Sequence, residues 1–240
     1  MFRHILSAVG CIVLTTSLAT ASTYRGPSYV EPGDDAGSSR DDAADVKNPN
    51  GTGQINSISG SLTGGGGLVN LDGDYQDVFR IFIKDPWAFK IQLGDMGTNI
   101  PDSMMFLFNE FGNPVMASDN TSSQNFNPIL ENLEGEFFNE SGIYYLAITS
   151  APSEALIDLG GGAVVPLFNL VEFPFGTVGP APDAGQYQWT DGWSPPTDSN
   201  NIGDYFMYVD GVESLPLVPG PAGLAVLGMA GIMGSRRRRR

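Results

Sequence analysis

The sequence predicts an all-β protein, an antiparallel β-sandwich of jelly-roll type. Three observations predict it. Short apolar runs with a period of two recur through the middle of the chain, each bounded by Gly, Pro, Asn or Asp. No stretch between the termini keeps a helical period for twelve residues. Glycine (31) and proline (17) make up a fifth of the 240 residues, which favours turns and short strands over long helices. Several short strands without interleaved helices bury their apolar faces by packing sheet on sheet.

The elements follow in chain order. Residues 1–21, "MFRHILSAVGCIVLTTSLATA", have the three parts of a secretory signal helix: Arg3 as the positive start, an apolar run over 5–18, and small residues at Ala19 and Ala21. Cleavage is expected after Ala21. A buried N-terminal helix is the alternative. The apolar run is too short for a permanent span, which needs about 20 residues. Removing the segment removes His4 and Cys11, the only histidine and cysteine. The mature chain then holds no disulfide, no Ser-His-Asp or Cys-His nucleophile and no His- or Cys-ligated zinc.

Residues 22–50 are polar and rich in Gly, Asp and Asn, and read as a flexible acidic linker with a little order near 43–46. The body, 51–213, carries the strand signals. "SISGSL" puts Ile58 and Leu62 on one face. "DVFRIFIK" alternates Phe79, Ile81 and Ile83 against Arg80 and Lys84. "AFKIQL" alternates Phe89, Ile91 and Leu93 against Lys90 and Gln92. "MMFLF" and "GIYYLAIT" are apolar on both faces, as central strands are, and "DYFMYVDG" closes the series. "NEFGN", between "MMFLF" and "PVMAS", reads as a hairpin loop. The glycine tract 64–67 is expected in a loop. The Gly/Pro-rich stretch 173–199 reads as a long excursion over one sheet edge or end.

These stretches, from "INSISGSL" through "DYQDVFRIFIKDPWAFKIQL" and "MMFLFNEFGNPVMASDN" to "SGIYYLAIT", resemble the bacterial pre-peptidase C-terminal domain family. The matching features are Asp77 before the Phe-Arg-Ile strand, Phe89, the hairpin 107–113 and the strand 142–148. The resemblance implies a β-sandwich that serves as a non-catalytic module of exported proteins. The excursion 173–199 is the part it covers least.

The tail, 214–240, is "SLPLVPGPAGLAVLGMAGIMGSRRRRR". Pro216, Pro219 and Pro221 forbid a regular helix before Ala222. A helix over 222–234 would reach about 20 Å, short of the ~30 Å bilayer core. Arginines flanking an apolar segment stay on the cytoplasmic side. The body is thus expected to be exported while the tail stalls in the membrane, with Arg236, Arg237, Arg238, Arg239 and Arg240 inside. The arrangement resembles the PEP-CTERM sorting signal of Gram-negative bacteria, here as Val218, Pro219, Gly220 and Pro221, with Gly220 where that family usually carries Glu. The resemblance implies transient inner-membrane anchoring, cutting by an exosortase-type enzyme after signal peptidase has removed the other end, and delivery to the cell surface or extracellular matrix. The alternative is a plain tail anchor or an amphipathic helix.

Charge narrows the partners. All 27 acidic residues lie between positions 31 and 213 and only six basic residues lie between 22 and 235, so residues 22–235 stand at −21. Such a field repels nucleic acid and anionic lipid. It suits divalent cations. "NLDGDYQD" offers Asp72, Asp74 and Asp77 as oxygen ligands for Ca²⁺, with Ser118, Asp119 and Asn120 as a second source of oxygens. The alternative is a polar turn leading into a strand. Tyr187, Trp189 and Trp193 are candidates for stacking on an extracellular polysaccharide if exposed, or for covering one end of the core if not. Paired carboxylates hydrolyse glycosides in other proteins. A hydrolase would need a cleft holding two carboxylates of shifted pKa, and none is expected here. The reading is an exported, surface-sorted, non-enzymatic protein with no cofactor beyond Ca²⁺. A glycan-binding module and an accessory domain for a secreted hydrolase are the alternatives.

Overall fold

The computed structural model describes residues 28–215, apart from 32, 34, 66–72, 161–162, 183, 191 and 197–199. Ala19, Ala21, the stretch 218–221, the arginines 236–240 and Asp72 lie outside the described residues.

The described chain is mostly β. Its strands are β1 (Ser28–Val30), β2 (Ala44–Asp45), β3 (Gln54–Leu62), β4 (Gln76–Ile83), β5 (Lys90–Leu93), β6 (Ser103–Asn109), β7 (Pro114–Ser118), β8 (Ile129–Glu131), β9 (Gly142–Ser150), β10 (Ala155–Asp158), β11 (Val164–Pro166), β12 (Gly192–Trp193) and β13 (Gly203–Glu213). Ten of them form one sheet in the order β1-β3-β13-β4-β9-β6-β7, with β2 on β4 and with β5 and β8 running out from β13. The rest form a small sheet in the order β11-β10-β12. Among the described residues no helix is long and apolar enough to cross a membrane.

The sheet is mixed, which corrects the purely antiparallel expectation. β1 runs parallel to β3 and β2 parallel to β4, while the other ladders are antiparallel. Both parallel strands come from the stretch expected as a linker. The order foreseen near 43–46 is real, and the stretch contributes more than that: Ala36 and Val46 are buried in the core. Asp45 fastens β2 by facing Arg80 at 2.7 Å and Lys47 at 2.8 Å.

Alternation along the central strands builds two cores. Phe79, Ile81 and Ile83 of β4, Met105 and Leu107 of β6, and Leu146 and Ile148 of β9 face one cluster. Ile58, Tyr205, Met207 and Ile91, from β3, β13 and β5, meet them there. Val78, Met104, Phe106, Phe108 and Ala147 point the opposite way, into a second cluster closed by Ile157, Leu167, Phe168 and Trp189. This double burial is why "MMFLF" is apolar on both faces. The Gly/Pro-rich excursion therefore covers a sheet face rather than an edge, and it begins at β10.

β13 joins the two arms of the sheet. Its residues 207–210 pair with β5, and Val212 and Glu213 pair with β4 after a register shift. Gly211 sits in that shift at φ +78°, where a Cβ would lie 2.6 Å from the Asp85 carbonyl oxygen. Only glycine fits both the angle and the space. The β6–β7 hairpin closes as read, with Asn109 Oδ1 accepting from the backbone N–H groups of Phe111 and Asn113 at 3.0 and 2.9 Å.

Candidate functional site: a buried carboxylate in an acidic pocket

Asp77 lies on the face of β4 that carries Phe79, Ile81 and Ile83, so the strand's own alternation turns a carboxylate into the core. The residue is fully buried. The Tyr205 hydroxyl, equally buried on β13, donates to Asp77 Oδ2 at 2.5 Å. Asp77 Oδ1 is enclosed and receives no donor. Burial pushes the Asp77 carboxyl up to about 9, against the lowering effect of the Tyr205 bond, and the nearby charges of Glu31 and Asp74 add to the rise. Asp35 brings a further carboxyl within hydrogen-bonding reach of it. Burial, then the Asp77 charge, drives the Tyr205 phenol well above its ordinary value.

The parallel pairing of β1 with β3 delivers the other acids. Glu31 follows β1 directly. Its Oε1 accepts from the Ala36 N–H at 2.6 Å and its Oε2 from the Ser61 N–H at 3.1 Å. Burial still raises its pKa. Gly60 leaves the necessary room, since a Cβ there would collide with the Glu31 carboxylate and the Tyr205 hydroxyl. Glu31, Asp35 and Asp77 each present an oxygen within 4.8 Å of the others. Asp74 lies beside them with a pKa raised by burial. Its Oδ2 accepts from the Thr63 N–H and hydroxyl, and its Oδ1 is buried without a partner. The pocket over the group is about 660 Å³, lined further by Ser59, Ser61, Thr63 and Phe206. Among the described residues lining it there is no lysine or arginine.

Of the three aspartates singled out from sequence, Asp77 belongs to this carboxylate cluster and Asp74 lies beside it. Glu31 and Asp35 are its other members. No local signal marks them, because they reach Asp77 only through strand pairing. Asp119 does not join this group. It faces Asp102 and Glu154, and burial first, then those two charges, lifts its carboxyl to about 7. Its neighbour Ser118 is engaged elsewhere, its hydroxyl oxygen accepting from the Ile129 N–H.

One expectation is corrected here, and one open alternative is decided. A pocket holding carboxylates of shifted pKa does exist, where none was expected. Trp189 is not exposed: it is fully buried and stacks on Phe108 at 4.6 Å and 13° between planes. Trp193 is half-buried, packs on Trp189 at 64°, and donates its indole N–H to the Ser38 carbonyl at 2.8 Å. Tyr187 alone of the three keeps much of its surface in solvent. Phe106 and Phe108 point out of the sheet, and the two indoles cover them, Trp193 against Phe106 and Trp189 against Phe108. No protein-family model matches the chain, and a comparison with curated proteins finds no match either.

Proposed function

We propose that this chain is an exported, non-catalytic surface or matrix module whose body is a β-sandwich and whose acidic pocket holds a calcium ion. The sandwich reading rests on the two arms of the sheet meeting across the shared cluster of Phe79, Ile81, Ile58 and Met207. The destination rests on the terminal sequences and on the body's acidity.

One observation carries the chemistry. Asp77 Oδ1 is buried without a donor, among Glu31, Asp35 and Asp74, with no basic side chain among the described pocket-lining residues to balance them. A buried carboxylate must be neutralised or paired. A hard cation does this for several carboxylates at once, and Ca²⁺ takes six to eight oxygens in a flexible shell. Glu31, Asp35 and Asp77 would hold it, with Asp74 alongside. Hydrolysis fits the same residues poorly. Asp77 is too deep to touch a polymer, and both Glu31 oxygens already accept backbone N–H groups.

Millimolar calcium is expected to raise the melting temperature of the full chain. The gain should vanish in Asp77→Asn, and also in Asp35→Asn, an exposed site whose change leaves the core intact. Identical melting curves with calcium and with chelator would remove the site. The destination is tested by intact mass and cell fractionation of the native protein.

A further inference from the structure

A second groove, at the far end of β4 from Asp77, joins an exposed indole to a mixed set of polar groups. It measures about 430 Å³, within the ~300–1,000 Å³ range of small-molecule sites. Trp87, Lys90, Glu131, Glu134, Asp210 and Gln54 line it. Trp87 is 64% exposed, while the other two tryptophans are buried or half-buried.

The indole is held in place although it faces water. Trp87 sits in a 3-10 turn, Pro86–Ala88, capped by Asp85 Oδ1, which accepts from the Trp87 and Ala88 N–H groups at 3.1 and 3.3 Å. Asn132 ties this turn to the neighbouring one. Its Nδ2 donates to the carbonyls of Pro86 at 2.9 Å and Phe138 at 2.7 Å, and its Oδ1 accepts from the Phe137 N–H. The second turn lies against the ring: a Cβ on Gly135 would stand 3.4–3.6 Å from the ring atoms. Glu134 completes that turn at φ 52°, a conformation a non-glycine residue adopts only where the surroundings impose it. Gly211, which admits no side chain, also lines the groove.

We propose that this groove binds a neutral saccharide, with Trp87 as the stacking platform. A fixed indole supplies a large apolar face at little entropic cost. The groups around it are both donors (Lys90, Gln54) and acceptors (Glu131, Glu134, Asp210, Gln54), the mixture that ring hydroxyls satisfy. Lys90 already pairs with Glu131 at 3.2 Å, so a cationic ligand would meet an ammonium and waste the donors. An acidic polysaccharide would meet Glu134 and Asp210 and the acidity of the whole body. The site is separate from the cation pocket and stands or falls without it.

The test is affinity electrophoresis of the full chain through gels containing soluble β-glucan, with tryptophan fluorescence titrated by cellohexaose and laminarihexaose. Retardation and a saturable emission change are expected with the neutral glycans. Both should be lost in Trp87→Ala at an unchanged melting temperature, and partly restored in Trp87→Phe. No response to any neutral glycan, or a response that survives Trp87→Ala, overturns the proposal. So does a Trp87-dependent response to polylysine or alginate with the neutral glycans silent, which would assign the groove to a charged ligand.

Discussion

Asp77 occupies a strand position where alternation asks for an apolar side chain, and its neighbours decide what it becomes. One oxygen is satisfied by Tyr205 and the other is left among carboxylates. Asp119 is the contrasting case, a carboxyl away from the acidic pocket whose rise to about 7 has burial as its main cause. The fold favours its protonated form, so the linkage has a definite sign. Its contribution to stability is complete below the ordinary aspartate value of 3.8, falls as pH rises from there through about 7, and is flat above. The melting temperature of the calcium-free protein is expected to decline over that window. Asp119→Asn should remove part of the decline and be the more stable protein at alkaline pH. A variant that tracks the parent at every pH would contradict the assignment. Aspartate at 77 and 119 was visible in the sequence as acidity. Which oxygens would be enclosed was not, because enclosure depends on residues far away in the chain.

At the scale of elements, the strands read from sequence are those whose apolar pattern is long enough to declare itself: β3, β4, β5, β6, β9 and β13 all lie where the apolar runs placed them. β1, β2, β8, β10, β11 and β12 span only two to four residues each. Except for the local β10–β11 pair, their partners lie far away in sequence, and none is long enough for a local period to mark it. β13 shows how one residue shapes an element. Gly211 lets the strand shift register and pass from β5 to β4, linking the arms and bounding the Trp87 groove. Gly211→Ala adds a Cβ against the Asp85 carbonyl and strains a positive φ. The expected cost is about 1–3 kcal/mol, read by denaturant unfolding, and a neutral result would mean that the strand bends elsewhere. The same reasoning covers the tryptophans. Sequence placed Trp189 and Trp193 in a polar, Gly/Pro-rich stretch, while the uncovered aromatic face of β6 drew them inward.

At the scale of the whole molecule, the acidity of the body and the two terminal segments belong together in one proposal. A region at −21 stays soluble and keeps away from anionic surfaces, which suits a module released outside the cell. The native protein is expected to begin after Ala21, to lack the arginine pentad, and to fractionate outside the cytosol. A cytosolic protein that retains Arg236–Arg240 would refute that destination. By itself the sequence determined the strand-rich class, the main strands, the charge, and the absence of thiol and imidazole chemistry once the first 21 residues are removed, since each follows from composition or from a period read over neighbouring residues. Only the tertiary structure decided that β1 lies parallel to β3, that Glu31 and Asp35 meet Asp77, that Trp189 is core and that Trp87 is not. Those facts depend on contacts between residues tens of positions apart, and chain folding creates such proximity where no local pattern records it.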